Sequence, residues 1–419
     1  MALNIQRLNF DPATGDNPSD AWRKLDNSIG EIADFLEGDG DPADGVDARL
    51  DAVEGVVAGL GNSSGKNIGT GAGTVAAGDD SRFNLGSFKN KLINGDYRFA
   101  QRGTSVAVAS GASVYTLDRW LGSCTGSSMT VSRVDTGVAA DRSRYVLSAN
   151  VVSVAGSANL ALLMQRIEDV RTYAGRTVTV SFSATSSVNN KKIGVSLDQN
   201  FGSGGSPSTA VPGVGQAVTL STSMQRFSLT FNVPSLAGKT IGNASDFLAL
   251  NFWLDAGSSF DLRSGASGQL SALVYIDQVQ IEAGPVATDF EVRPYGTELT
   301  LCQRYFEKSF APATNPAAGV QCNQRPAAAW SSSSARAHYP FKVTKRTSPA
   351  LTFYAPVDGG SGAQGVIYSY SGAVWAAVSV SPVATSLVQG EGFSLDFPAS
   401  LAAGSTYLVA INWTADSEL

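Results

Sequence analysis

Short runs in which apolar and small polar residues take turns recur between positions 144 and 282, and they restrict the fold more than any other feature. The runs are RYVLSANVV (144–152), TVTVSFSA (177–184), KIGVSLDQ (192–199), RFSLTFNV (226–233), FLALNFWL (247–254) and LVYIDQVQIE (273–282), separated by Gly, Ser, Asn or Pro. A repeat of two belongs to extended chain, whose successive side chains face opposite sides. In RFSLTFNV, Phe227, Leu229, Phe231 and Val233 share one face, and Arg226, Ser228, Thr230 and Asn232 share the other. So many short strands in one stretch predict an antiparallel two-sheet sandwich over 91–296.

A second group of strand-like runs follows a Pro/Ala-rich stretch: AHYPFKV (337–343), ALTFYAP (350–356), GVIYSYS (365–371), AVWAAVSV (373–380), GFSLDF (392–397) and STYLVAINW (405–413). They predict that 297–419 opens with a short helix and continues as a C-terminal β-sandwich. Between 300 and 419 there are only seven Lys/Arg and six Asp/Glu. A small sandwich of this kind gains stability by burying one face against sister chains.

The first 60 residues differ. They hold 13 Asp/Glu and 4 Lys/Arg. Trp22, Leu25, Ile29, Ile32 and Leu36 are spaced 3, 4, 3, 4, and Val46, Leu50, Val53, Val57 and Leu60 are spaced 4, 3, 4, 3. Each set is the apolar seam of a helix, with Ser19 or Asp20 as the cap of the first. The spacing fits either short coiled coils that set chain number or two helices folded together as a hairpin. GDGDPADG (38–45) separates them; Asp39 and Asp41 match a calcium loop, but Ala43 breaks the pattern, and a solvated turn is the reading. Residues 61–90 are a Gly/Ser-rich linker, and their GTGAG lacks the Gly-Lys-Ser/Thr of a phosphate loop.

Several functions are disfavoured. The net charge of −6 supplies no basic field for nucleic acid. No apolar run is long enough for a membrane helix, and the N-terminus lacks the pattern of an export signal. One histidine, His338, and three distant cysteines, Cys124, Cys302 and Cys322, leave little for a catalytic triad, a zinc site or a disulfide framework. No metal or cofactor is expected.

The segments LINGDYRF (92–99), YTLDRW (115–120), MQRIEDVRTYAGRTVTVSFSA (164–184), MQRFSLTFNVP (224–234) and YIDQVQIEAG (275–284) stand in an order that resembles jelly-roll carbohydrate-binding modules. With QRGTS (101–105), FEVRPYGTELTLCQRYFEKS (290–309), the GTGAGTVAAGDDSR linker (69–82) and the opening GDNPSDAWRKLDNSIGEIADFL (15–36), the chain is similar to phage tail fibre proteins. Its last residues, YLVAINWTADSEL, resemble the ending of the same proteins, with Ser417 in place of the usual Ala and Asn412 where His is common. The resemblance implies a homotrimeric receptor-binding protein of the virion, assembled in the host cytoplasm. It implies a head (1–60) that joins a tail or baseplate protein and aligns three chains through the two seams. It also implies that the NGD segment and the YIDQVQIE strand lie side by side; Asp96 and Asp277 would then approach each other.

The expected ligand is a host-surface polysaccharide or lipopolysaccharide, bound without chemistry. Aromatic rings stack on sugar C–H faces while amides and carboxylates read hydroxyls. In the C-terminal sandwich the candidates are Tyr354, Asp358, Gln364, Tyr368, Tyr370 and Trp375, around the small-residue loop 357–365; buried packing is the competing role for each ring. Trp120 and Trp253 are candidates in the jelly roll, Trp120 reading as structural. A structural tail component and a capsule-degrading spike are the alternatives, the latter disfavoured because no β-helix repeat is present.

Overall fold

The computed structural model describes residues 18–37, 88–137, 143–312, 314–320, 324–332, 334–355, 365–371, 374–380, 384–398 and 406–419. The chain divides into two compact units, 1–83 and 84–419.

In the first unit, helix α1 runs Pro18–Glu37. It opens on Pro18 rather than after a cap at Ser19 or Asp20. Proline lacks the N–H that a first turn leaves unpaired, and its fixed φ suits that position. Asp20 falls in the first turn, beside the positive end of the helix dipole. Trp22, Leu25 and Ile29, on one face of the helix, are 70%, 40% and 54% exposed. The side chains of Ile32 and Leu36 and the whole second seam, Val46, Leu50, Val53, Val57 and Leu60, lie outside the described residues.

The second unit begins with a sandwich of two six-stranded antiparallel sheets. One has the order β1 (Ser105–Val108), β4 (Ser128–Asp135), β5 (Tyr145–Val152), β12 (Ala272–Ala283), β7 (Thr177–Ser186), β10 (Gln225–Asn232). The other has the order β2 (Ser113–Tyr115), β3 (Leu121–Thr125), β6 (Leu160–Glu168), β11 (Phe247–Ala256), β8 (Lys191–Asn200), β9 (Gln216–Leu220). Leu147, Val180, Phe182 and Ile276 of the first sheet meet Leu163, Val195, Leu250 and Phe252 of the second in one core. All six alternating runs are strands. Along β10 the expected faces hold: Phe227, Leu229 and Phe231 are covered to varying degrees, and Arg226, Ser228, Thr230 and Asn232 are exposed.

Two strands depart from simple alternation. β12 buries Ala272, Val274 and Ile276, then Val279 and Ile281. The switch from even to odd positions is made by a bulge at Asp277–Gln280, where Gln278 has φ 49°. One extra residue flips every later side chain to the other face, so the bulge keeps both halves of the strand on the core. β11 is covered on both faces. Leu248, Leu250, Phe252 and Leu254 face the core, while Trp253 packs behind them against Phe260 at 5.3 Å. Phe260 ends a 3₁₀ turn (Ser258–Phe260) leading into α2 (Asp261–Ser264), whose Arg263 lies over the Trp253 ring at 5.0 Å and pairs with Asp198. Gly194 admits this cover: a Cβ there would run into the Ser264 carbonyl.

The buried Lys191 of β8 donates to the Leu270 carbonyl, and burial pushes its pKa down to about 8. The unfolded chain, with an ordinary lysine, therefore holds more protons between about pH 8 and the usual lysine value, and stability should rise with pH across that window. Denaturation of the wild type and Lys191→Met at pH 7 and pH 9.5 checks this: the alkaline gain should shrink in the variant.

Helix α3 (Tyr295–Gln303) connects to the second sandwich. Its seven-stranded sheet has the order β18 (Val374–Val380), β17 (Gly365–Ser371), β21 (Thr406–Ala410), β14 (Gln324–Ser331), β15 (Ser334–Pro340), β20 (Gly392–Pro398), β19 (Ala384–Gln389). A three-stranded sheet, β13 (Phe306–Lys308), β22 (Asn412–Asp416), β16 (Ala350–Tyr354), faces it. Tyr339, Phe393, Leu395, Val409, Ile411 and Trp413 form the core between them. STYLVAINW, expected as one strand, is two: the chain leaves the larger sheet at Ala410 and enters the smaller one at Asn412. The run AHYPFKV stops being strand at Pro340.

The two sandwiches share a polar junction. Gln101 donates to the Asp118 carboxylate from both its main-chain N–H and its amide, and also to the Phe306 carbonyl. Arg102 pairs with Asp416 (3.0 Å) and Glu418 (3.3 Å) and lies over the Phe306 ring. Arg119 pairs with Glu418, donates to the Arg166 carbonyl and covers the Tyr305 ring at 3.5 Å. Glu168 accepts from Arg304 and from the Tyr305 hydroxyl. The end of the chain thus returns to the jelly roll.

Candidate functional site

The junction leaves a cleft of about 590 Å³ open on one side of these contacts. The jelly roll supplies one wall: Asp96, Arg98 to Gln101, Arg133 of β4, Ser143 to Tyr145 at the start of β5, and Gln278 at the bulge of β12. The other wall is Val292, Tyr295, Leu299 and Gln303 in and before α3, then Lys308 of β13, Phe310, Pro312 and Lys342.

The local sequence explains why these walls hold still. Asn90 donates to the Val279 carbonyl and accepts from Ile281, and the Val279 N–H donates to Gly95, so the NGD segment lies along β12 as the resemblance implied. Gly95 is needed there, because a Cβ would strike the Val279 carbonyl. Asn94, at φ 59°, bonds both ways with Phe99, donates to Asp118 and accepts from the Trp120 indole. Trp120 is fully buried, a structural ring as expected. Its neighbour Tyr97 is buried too, and its hydroxyl is pushed up first by that burial and then by Asp277 and Asp96. The same two carboxylates are near enough that Asp96 helps to raise Asp277, behind the larger effect of burial. Among the described residues, no cluster of three or more metal-ligating side chains is present.

The cleft combines rings with charges. Tyr295 is 56% exposed and packs on the buried Phe99 at 4.9 Å. Tyr145 is half-buried beneath two guanidinium groups, Arg133 at 4.4 Å and Arg144 at 5.2 Å from its centroid. Lys308 donates to the carbonyls of Gln101 (3.0 Å), Pro312 (3.1 Å) and Thr314 (2.7 Å), which fixes its ammonium at the base of the wall. Burial lowers its pKa, and Arg133 and Lys342 act in the same direction against Asp118.

Of the residues proposed from sequence, Tyr354 is half-buried, edge-on to Phe310 at 5.3 Å; it supports a cleft residue from behind. Tyr368 and Tyr370 lie on β17 and Trp375 on β18, with Tyr370 paired to Trp375 in the ladder. Their side chains, with Asp358, Gln364 and the loop 357–364, lie outside the described residues. Trp253 is buried under Phe260 and Arg263 and offers no open platform. Sequence reasoning did not find Tyr145, Tyr295, Arg133 or Lys342. The available signal was the concentration of polar motif residues in QRGTS, YTLDRW and FEVRPYGTELTLCQRYFEKS within a chain otherwise sparse in charge.

No family model matches the sequence, and no curated protein matches it. Among solved structures, a family 4 carbohydrate-binding module is similar at 17% identity, with a TM-score of 0.26, over 46% of this chain and 98% of its own. A family 11 carbohydrate-binding module from Clostridium thermocellum, solved with a mixed-linked tetrasaccharide, is 10% identical, with a TM-score of 0.27, over 43% of this chain and 94% of its own. The enzymatically active domain of bacteriophage CBA120 tailspike protein 4 is 16% identical, with a TM-score of 0.28, over 51% of this chain and 24% of its own. Likeness of this degree leaves the ligand to be argued from the residues themselves.

Proposed function

We propose that this protein is a non-enzymatic glycan-binding adhesin of the tail-fibre kind, and that the cleft between its sandwiches holds the saccharide. The observation that carries the reading is the exposed Tyr295 ring, with Tyr145 in the same cleft, among hydrogen-bonding side chains. Flat apolar faces next to fixed donors are what a pyranose needs. Glycoside cleavage needs two carboxyl groups facing the bond. Asp96 is the one carboxylate among the described lining residues, and Arg98 holds it at 2.5 Å, which supports binding without hydrolysis. In this proposal three chains associate through α1, whose exposed Trp22, Leu25 and Ile29 need partners; the head joins the virion tail, and multivalency strengthens weak individual contacts. The second sandwich adds its loop 357–365 to the host contact.

Binding of the full chain to a panel of surface polysaccharides tests the reading. Tyr295→Ala should weaken the selected glycan by about 1–2 kcal/mol, roughly five- to thirtyfold, without changing the melting temperature. Unchanged affinity in this variant, or no binding to any glycan, overturns it.

A further inference from the structure

We propose that the saccharide taken by this cleft is acidic, its carboxylate or phosphate held by Arg133 and Lys342 while its ring lies against Tyr145 and Tyr295. The proposal rests on the reading of the cleft as a saccharide site and adds the ligand's charge. Five cations line the cleft, Arg98, Arg133, Arg144, Lys308 and Lys342, against the single lining carboxylate of Asp96. Two of the five are answered locally. Arg98 is paired with Asp96, and Arg144 with Asp135 at 3.2 Å. For Arg133, Lys308 and Lys342, no ion pair with a carboxylate is formed among the described residues.

What these three do instead differs. Lys308 is satisfied by three carbonyls, which solvate an ammonium but do not neutralise it. Arg133 gives one N–H to the Arg98 carbonyl at 2.6 Å and lays its plane over Tyr145. Lys342 is exposed and lines the cleft, its main-chain N–H anchored on Glu307. Arg133 and Lys342 both lie near enough to disfavour the Lys308 ammonium, behind the larger effect of its burial. Gathering like charge around a concave, partly desolvated site costs stability, and an anion entering it removes that cost. The planar guanidinium is suited to a carboxylate or phosphate, and the ring beneath it keeps it in place. The flanking tyrosines make a sugar, rather than a bare anion, the better-fitting ligand.

The test is calorimetry on the full chain with three probes: an oligogalacturonate, the same oligomer after carboxyl reduction, and a phosphorylated mannan fragment. At low salt, the uronate or the phosphorylated probe should bind at least about tenfold more tightly than the neutral oligomer, and the difference should shrink as salt is raised. The probe that wins identifies carboxylate or phosphate. K342E should remove this preference and R133Q should reduce it, each with a cooperative melting curve showing that the chain is still folded. R133K, which keeps the charge and loses the fork, should fall between. Equal binding of the uronate and its reduced form, together with weak binding of the phosphorylated probe, overturns the acidic assignment and leaves the glycan reading intact. Failure of all three probes, with inorganic phosphate binding alone, overturns both.

Discussion

Replacing Glu418 with alanine should destabilise the second unit by about 3–5 kcal/mol, the loss expected when one member of a buried ion pair is removed. The side chains of Glu418 and Arg119 are 4% and 2% exposed, and Arg102, the second guanidinium on this carboxylate, is 12% exposed. Deleting the carboxylate leaves Arg119 desolvated with only the Arg166 carbonyl and the Tyr305 ring to balance it. Most of the loss comes from that stranded charge and not from the pair's own net strength, so the order of removal matters. Arg119→Met with Glu418→Met should recover part of the stability lost by Glu418→Met alone. The exposed pair of Arg144 with Asp135 is the control: Arg144→Ala should leave the melting curve where it is, because solvent screens both groups. Urea denaturation of the two singles and the double gives the coupling as a cycle. Purely additive losses would mean that the chain end is not clasped by these arginines.

The same clasp explains which parts of the structure were legible in the sequence. Strand runs such as TVTVSFSA could be read because one buried face imposes a repeat of two. FLALNFWL read as strand too, but its second covered face came from Phe260 and Arg263, whose short helical turn leaves no periodic trace. The shift of side-chain parity in β12 depends on Gln278 adopting a positive φ, which its residue type does not announce. STYLVAINW looks continuous because β-branched Ile411 suits a strand; the change of sheet is a matter of which partners lie alongside. The cleft was the least legible. Arg133, Tyr145, Tyr295 and Lys342 are scattered along more than half of the second unit, and only the folded chain brings them together. The motif residues that carry the tail-fibre resemblance do meet at one place in the fold. Asn94, Gln101, Arg102, Asp118, Arg119 and Glu418 build the junction that frames the cleft.

Phe393→Ala should cost about 3–5 kcal/mol, the range for truncating a buried phenylalanine whose surroundings cannot close over the gap. The ring has no exposed surface and sits among four others: Tyr339 stacked at 5.0 Å, Trp413 edge-on at 5.2 Å, Phe341 at 5.7 Å and Phe353 at 6.0 Å. Those neighbours come from both sheets of the second sandwich and from the turn after β15, so no single shift refills the space. Phe393→Leu keeps part of the volume and should lose less. The consequence should reach the cleft by two short paths. Phe341 directly precedes Lys342, and Trp413 lies on β22, three residues before the Asp416 carboxylate that Arg102 holds. Calorimetric melting, read beside glycan binding over the same temperatures, separates the outcomes. Binding should fail in Phe393→Ala at the temperature where the second sandwich melts, even if the jelly roll still holds its tertiary circular dichroism. Binding that outlasts the second sandwich would place the saccharide on the jelly-roll wall alone, on Tyr145 and Arg133 without Lys342.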